Sequence, residues 1–160
     1  MIYILLCKRV DGMNLLRRLI MAIIVPLVLA IGVRIFIVEP VNINGESMLP
    51  TFEDGDITFI FKRMKPAKGD VVFLRSVNDM KVVKRLVAEE GDRVAIMDGT
   101  FYLNGLIDDR HEDIRNTLVL ERTLEDNEIY VLGDNVNHST DSRDIDYTMD
   151  DYLGKALFFI

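Results

Sequence analysis

Apolar positions fall into two regimes along the chain. From Leu19 to Val38 the sequence reads LIMAIIVPLVLAIGVRIFIV, with Arg34 its one charged residue. A helix needs ~20 mostly apolar residues to cross the hydrocarbon core of a bilayer, and this run supplies them. Pro26 kinks such a helix without forbidding it. Arg34 lies four residues from the end of the run, where a long side chain reaches the interface. After Pro40 the pattern changes from helical to extended. Segments rich in Val, Ile, Phe and Tyr, at 41–44, 56–61, 70–74, 80–89, 93–97, 100–103 and 129–132, alternate with turn residues such as Lys68-Gly69-Asp70 and Glu90-Gly91-Asp92. They read as strands, and Asp98-Gly99 between two of them predicts a two-residue hairpin. The predicted class is mainly β: an antiparallel, barrel-like body behind one N-terminal transmembrane helix. Residues 108–127 are polar and irregular, which predicts a surface excursion with room for a short helix.

Charge orients this arrangement. Residues 1–38 hold five basic groups against Asp11, or +4, and residues 39–160 hold 14 basic and 25 acidic groups, or −11. Positive charge stays on the cytoplasmic side of a membrane. The chain therefore divides into a cytoplasmic segment 1–18, an anchor 19–38 and an extracytoplasmic body 39–160, with the phospholipid membrane as a partner. An acidic body excludes a nucleic-acid binder. A cleaved signal peptide is the competing reading of the leader, but the run is long for one and its exit, Ile35-Phe36-Ile37-Val38-Glu39-Pro40, offers no small-x-small site. Cys7 is the single cysteine, so no intrachain disulfide forms, and it reads as an inert small hydrophobe. Met13 opens the stretch Met-Asn-Leu-Leu-Arg-Arg, a second place for translation to begin.

Three segments carry candidate chemistry. In Asn44-Gly45-Glu46-Ser47-Met48-Leu49-Pro50-Thr51 a serine follows a strand, after a glycine that permits positive φ and before a proline. A serine hydroxyl needs a base. Of the two histidines, His111 falls in the polar excursion and His138 in a turn-rich loop. Both read as solvated, although a triad through His138 stays open on spacing. The other base is a lysine. In Val82-Val83-Lys84-Arg85-Leu86-Val87 the alternation puts Lys84 on one face and Arg85 on the other, so one charge meets a largely covered face. A buried lysine loses its proton more easily, as a base at neutral pH should. The third segment, Gly133-Asp134-Asn135 through Ser139-Thr140-Asp141-Ser142-Arg143, is dense in side chains that fix loops by local hydrogen bonds. Its acidic spacing does not match a calcium loop. No metal and no cofactor is predicted.

In this order behind an anchor, these segments resemble the bacterial type I signal peptidases, in a compact form like that of Gram-positive members. Gly45 through Thr51 looks like the nucleophile box, Lys68-Gly69-Asp70 like the family's Gly-Asp strand start, and Val83-Lys84-Arg85-Leu86 like its base box. Gly133 through Arg143 looks like its last signature, and Gly154-Lys155-Ala156 like a motif in the C-terminal strand. The resemblance implies a serine endopeptidase with a Ser47–Lys84 dyad that forms an acyl-enzyme. Its substrates would be secretory preproteins, cut after small residues at −3 and −1. Ser139 would orient the lysine, Asp141 and Arg143 would hold its loop, and Gly133, Asp134 and Asn135 would support the site. The Ser47 N–H would donate to the oxyanion, Gly45 standing where some members carry a second donor. Met48, Leu49 and Phe52 are candidates for pocket or membrane contact. The short stretch after Lys84 implies a small second lobe, about 91–128.

Overall fold

The computed structural model describes residues 2–115 and 117–157. It divides into two units, residues 1–38 and 39–160.

The first unit is one helix, α1, Ile2–Phe36, with Pro26 inside it. The helix starts well before the predicted run. Its segment Asn14–Arg34 has a mean hydropathy of 2.2 and none of it is buried, so length and composition suit a membrane span. Cys7 lies outside the residues whose side chains are described.

The second unit is mainly β, with short 3₁₀ turns at Val77–Asp79, Val136–His138 and Met149–Asp151. The strands are β1 (Val38–Asn42), β2 (Ile57–Phe61), β3 (Val71–Arg75), β4 (Lys81–Glu89), β5 (Arg93–Met97) and β6 (Thr100–Leu103). They continue with β7 (Leu106–Ile107), β8 (Val119–Thr123), β9 (Glu128–Leu132), β10 (Tyr147–Thr148) and β11 (Tyr152–Leu157). One sheet has the order β1-β2-β11-β3-β4-β9-β10 and a second the order β7-β6-β5-β8. β4 pairs antiparallel with β3 (Val72 opposite Lys84) and with β9 (Arg85 opposite Leu132). Its register shifts between Leu86 and Ala88, a bulge that bends and twists the strand. β4 is thus covered by neighbours along both edges, and its residues 83, 84 and 86–88 are buried.

Periodicity did not predict four strands, β7, β8, β10 and β11, of which the family resemblance alone implied β11. The segment 108–127 is not the excursion expected. It contains β8, no helix is formed among its described residues, and His111, Ile114 and Leu124 are buried. Val119-Leu120-Glu121-Arg122-Thr123 has no alternation strong enough to announce a strand. Pairing with β5 decides it, Arg93 meeting Thr123 and Ile96 meeting Val119. β11 lies between β2 and β3, where Gly154 is needed for close approach. A Cβ there would sit 2.5 Å from both Ile60 Cγ2 and the Phe61 carbonyl oxygen.

Candidate active site

After β1 the chain turns through residues 43–56. Ile43 N–H donates to the Asp56 carbonyl (2.7 Å) and Gly55 N–H to that of Ile43 (2.9 Å), pinning both ends of the loop. Gly45 has φ +93°, a conformation open to glycine, and its N–H donates to Asp54 Oδ1 (2.7 Å). Met48 and Phe52 then plunge into the core with Ile43, Ile60, Val71, Phe73 and Val83. These anchors hold Ser47 between them, half-buried, at the surface of the turn.

The loop after β9 clamps this turn. Asn135 N–H donates to the Ser47 carbonyl (3.0 Å) and its Nδ2 to the Glu46 carbonyl (3.1 Å). Gly133 passes so close that a Cβ would lie 2.6 Å from the Ser47 carbonyl oxygen and 2.3 Å from Ser139 Oγ. Asp134 receives both Nε (2.7 Å) and Nη2 (2.5 Å) of Arg85, and Thr51 Oγ1 donates to the same carboxylate. Arg85 Nη1 also donates to the Gly69 carbonyl (2.7 Å). Three segments distant in sequence are tied together by this fork, a strong bidentate pair.

Lys84 is 4% exposed, and its Nζ lies 2.8 Å from Ser47 Oγ. Burial pulls its pKa below the ordinary lysine value. Asp141 opposes that shift and Arg143 adds to it. Asp141 is fully buried and saturated. Its Oδ2 accepts from Gly133 N–H (3.0 Å) and Ser139 Oγ (2.7 Å), and its Oδ1 from Arg143 Nε (2.7 Å). Arg143 Nη2 reaches the carbonyls of Val136 (2.5 Å) and Ser139 (3.0 Å), closing the loop on itself. A neutral amine within hydrogen-bond reach of a hydroxyl can take its proton.

The family model described as signal peptidase, peptidase S26, matches residues 16–160. This chain belongs to the signal peptidase family. Signal peptidase I of Bacillus licheniformis is 32% identical over 85% of this chain and 82% of that protein. Signal peptidase IB of Staphylococcus aureus (strain Mu50) is 30% identical over 87% and 86%. A solved signal peptidase I from Enterococcus faecalis V583 is 26% identical, covering 57% of this chain and 97% of that one, with a TM-score of 0.49. Membership makes the chain a serine-type peptidase, a hydrolase.

The predicted residues divide. Ser47, Lys84, Gly133, Asp134, Asn135, Ser139, Asp141 and Arg143 come together. Ser139 donates to Asp141, and no hydrogen bond joins it to Lys84 among the described residues. Met48 and Phe52 are core residues, and Leu49 is half-buried. None of these three lines the groove beside the serine. That groove, a cavity of about 210 Å³, is lined by Ser47, Lys84, apolar Val41, Ile43, Phe73, Val82 and Val83, and polar Asn42, Asn44, Lys81 and Thr140. Met48 and Phe52 turn inward together, Phe52 N–H donating to the Met48 carbonyl (3.0 Å) across the turn. His138 is exposed and makes no side-chain bond to Ser47 among the described residues. His111, expected in solvent, is fully buried, with Nδ1 3.1 Å from Asp108 Oδ2. Thr51 and Thr140 were missed. Thr51 carried a signal in its place beside Pro50, and Thr140 in its place between Ser139 and Asp141.

Proposed function

We propose that this chain is a membrane-anchored endopeptidase that removes N-terminal signal peptides from secreted preproteins through a Ser47–Lys84 dyad. The observation that carries it is a buried amine, its pKa lowered by burial, 2.8 Å from the Ser47 hydroxyl. Neutral Lys84 takes the Ser47 proton as Oγ bonds to the scissile carbonyl carbon. The C–N bond then breaks and the amine leaves with that proton, giving an acyl-enzyme. Water attacks the ester as Lys84 takes its proton, the acyl C–Oγ bond breaks to free the carboxylic acid, and Lys84 returns the proton to Ser47 Oγ. The Ser47 N–H donates to the oxyanion. Gly45 N–H is already engaged with Asp54, so the second donor is a water or a substrate-ordered group. Ser139 acts on Lys84 through Asp141, as a positioning residue.

Substrate enters as an extended strand. β1 is an edge strand, and its free side borders the groove, which suits strand addition with alternate side chains entering the cavity. The cavity's volume and its Val and Ile walls favour small residues at −3 and −1. The helix segment Asn14–Arg34 anchors the chain as a single pass, with the basic N-terminus cytoplasmic and the acidic body outside. The test is cleavage of a preprotein bearing Ala-x-Ala by the purified chain in detergent. Ser47→Ala and Lys84→Ala should each abolish it. Cleavage that survives Lys84→Ala would overturn the dyad.

A further inference from the structure

The groove beside Ser47 joins two strands that the sheet keeps apart. β1 and β4 stand four places apart in the strand order, and at ~4.8 Å per strand a flat sheet would separate them by ~19 Å. The sheet curls instead, so that residues 41–44, in and after β1, and residues 81–84 of β4 line one cavity. Charge bridges its rim. Glu39 on β1 receives Lys81 from β4, and also Lys62 from just past the end of β2 (2.8 Å). One carboxylate thus holds two lysines and leaves one positive charge in excess. Among the described residues that line the cavity, Lys81 and Lys84 are the charged ones and no carboxylate is present. Lys84 is buried against Ser47, whereas the Lys81 side chain is 46% exposed. In a body whose formal charge is 14 − 25 = −11, the groove therefore offers its substrate an accessible cation.

Strand geometry sets which substrate residue that cation meets. Lys84 marks the reacting bond, its Nζ 2.8 Å from Ser47 Oγ. Lys81 lies three residues back along the same strand, on the opposite face and about 10 Å away at the rise of a strand. An extended substrate has the same rise and the same alternation. With −1 beside the bond and entering the cavity, the residue three steps back is −4, and its side chain lies at the rim. We infer that Lys81 reads the charge of the substrate residue at −4, favouring an acidic side chain and resisting a basic one. This deepens the endopeptidase reading above and rests on it. Glu39 keeps Lys62 on Oε2 when Lys81 leaves Oε1 for a substrate carboxylate, so the exchange strands no charge. Because Lys81 is half-exposed, the selectivity is that of a surface ion pair and not of a buried one.

The test uses the purified full chain in detergent and a panel of preproteins. Each carries Ala-x-Ala before the bond, with Glu, Gln or Lys at −4, and a control set carries the same three residues at +3 instead. At −4, kcat/KM should run Glu above Gln above Lys, with about fivefold between the extremes at low ionic strength and less in high salt. K81E should reverse the order and K81Q should flatten it. The order shown by the parent chain needs no variant, so the inference stays testable should K81E fold poorly. Equal rates for Glu and Lys at −4, an order that survives K81Q, or the same order at +3 overturns the inference and leaves the peptidase reading intact. A panel that the parent chain does not cleave at all overturns both.

Discussion

The ammonium form of Lys84 is disfavoured twice, by loss of water and by Arg143, and favoured once, by Asp141. A base works in its neutral form, so a folded pKa below the usual lysine value moves the active range toward neutrality. Cleavage should rise with pH through that depressed ionisation and level off above it. A pH–rate profile checks this, and a rise that first appears in the ordinary lysine range would count against the assignment. Stability follows the same sign. Below the unfolded lysine value the unfolded chain binds a proton that the fold resists, so the cost of burying Lys84 grows as pH falls. Lys84→Met should therefore abolish activity while staying within ~1 kcal/mol of the parent in stability, with its relative standing improving on the acidic side in denaturant titrations. Arg85 is the opposite case. Its fork to Asp134 is nearly enclosed, and Arg85→Ala strands a buried carboxylate, so we expect a loss of about 3–5 kcal/mol. The sequence carried the lysine argument, because strand alternation forces Lys84 and Arg85 apart. It did not carry the fork, whose members Thr51, Arg85 and Asp134 meet only when three distant segments fold together. It placed one of the two charges on a largely covered face, and the structure encloses both, Lys84 at 4% exposure and the Arg85 side chain at 13%.

Elements whose alternation is strong were legible: β5 and β6 have the bounds that periodicity predicts, β2, β4 and β9 differ by a residue at one end, and β3 is shifted by one residue at both. β8 and β11 were not, because each is fixed by its neighbours rather than by its own residues. The loop after β9 was legible as a fixed loop from its hydrogen-bonding side chains. Its use as a clamp on the Ser47 turn depends on Gly133, where a side chain would strike both the Ser47 carbonyl and Ser139. Gly133→Ala should thus cost activity out of proportion to stability, read as kcat/KM against Tm. Between β7 and β8, His111 departs from expectation, since a histidine among acidic residues reads as solvated. It packs edge-on to Phe101, which stacks on Tyr130. His111 Nε2 and the Tyr130 hydroxyl are both buried without a hydrogen-bond partner among the described residues, and burial pushes the Tyr130 pKa up to about 12. Tyr130→Phe removes an unsatisfied hydroxyl and should stabilise the body by about 1 kcal/mol. Burial lowers the pKa of His111, against Asp108 and Asp134 and with Arg85. The unfolded chain then takes up a proton near 6.5 that the fold refuses. Stability should fall as pH drops from there toward the depressed folded value, and His111→Gln should flatten that decline.

At the scale of the whole molecule, the orientation proposed for the chain rests on the opposite charges of leader and body. A leader of +4 resists translocation, and an acidic body of −11 does not. Composition carries this expectation by itself, because charge bias acts through sums over segments and not through contacts. The native Cys7 offers a direct test. In intact cells a membrane-impermeant maleimide should leave Cys7 unlabelled until the membrane is permeabilised. A cysteine introduced at Leu120, an exposed position of the body, should label at once in a Cys7→Ser background. Reversal of the two patterns would put the body inside, away from exported substrates. It would then remove the proposed role while leaving the Ser47–Lys84 geometry untouched, so orientation and chemistry stand or fall by separate measurements.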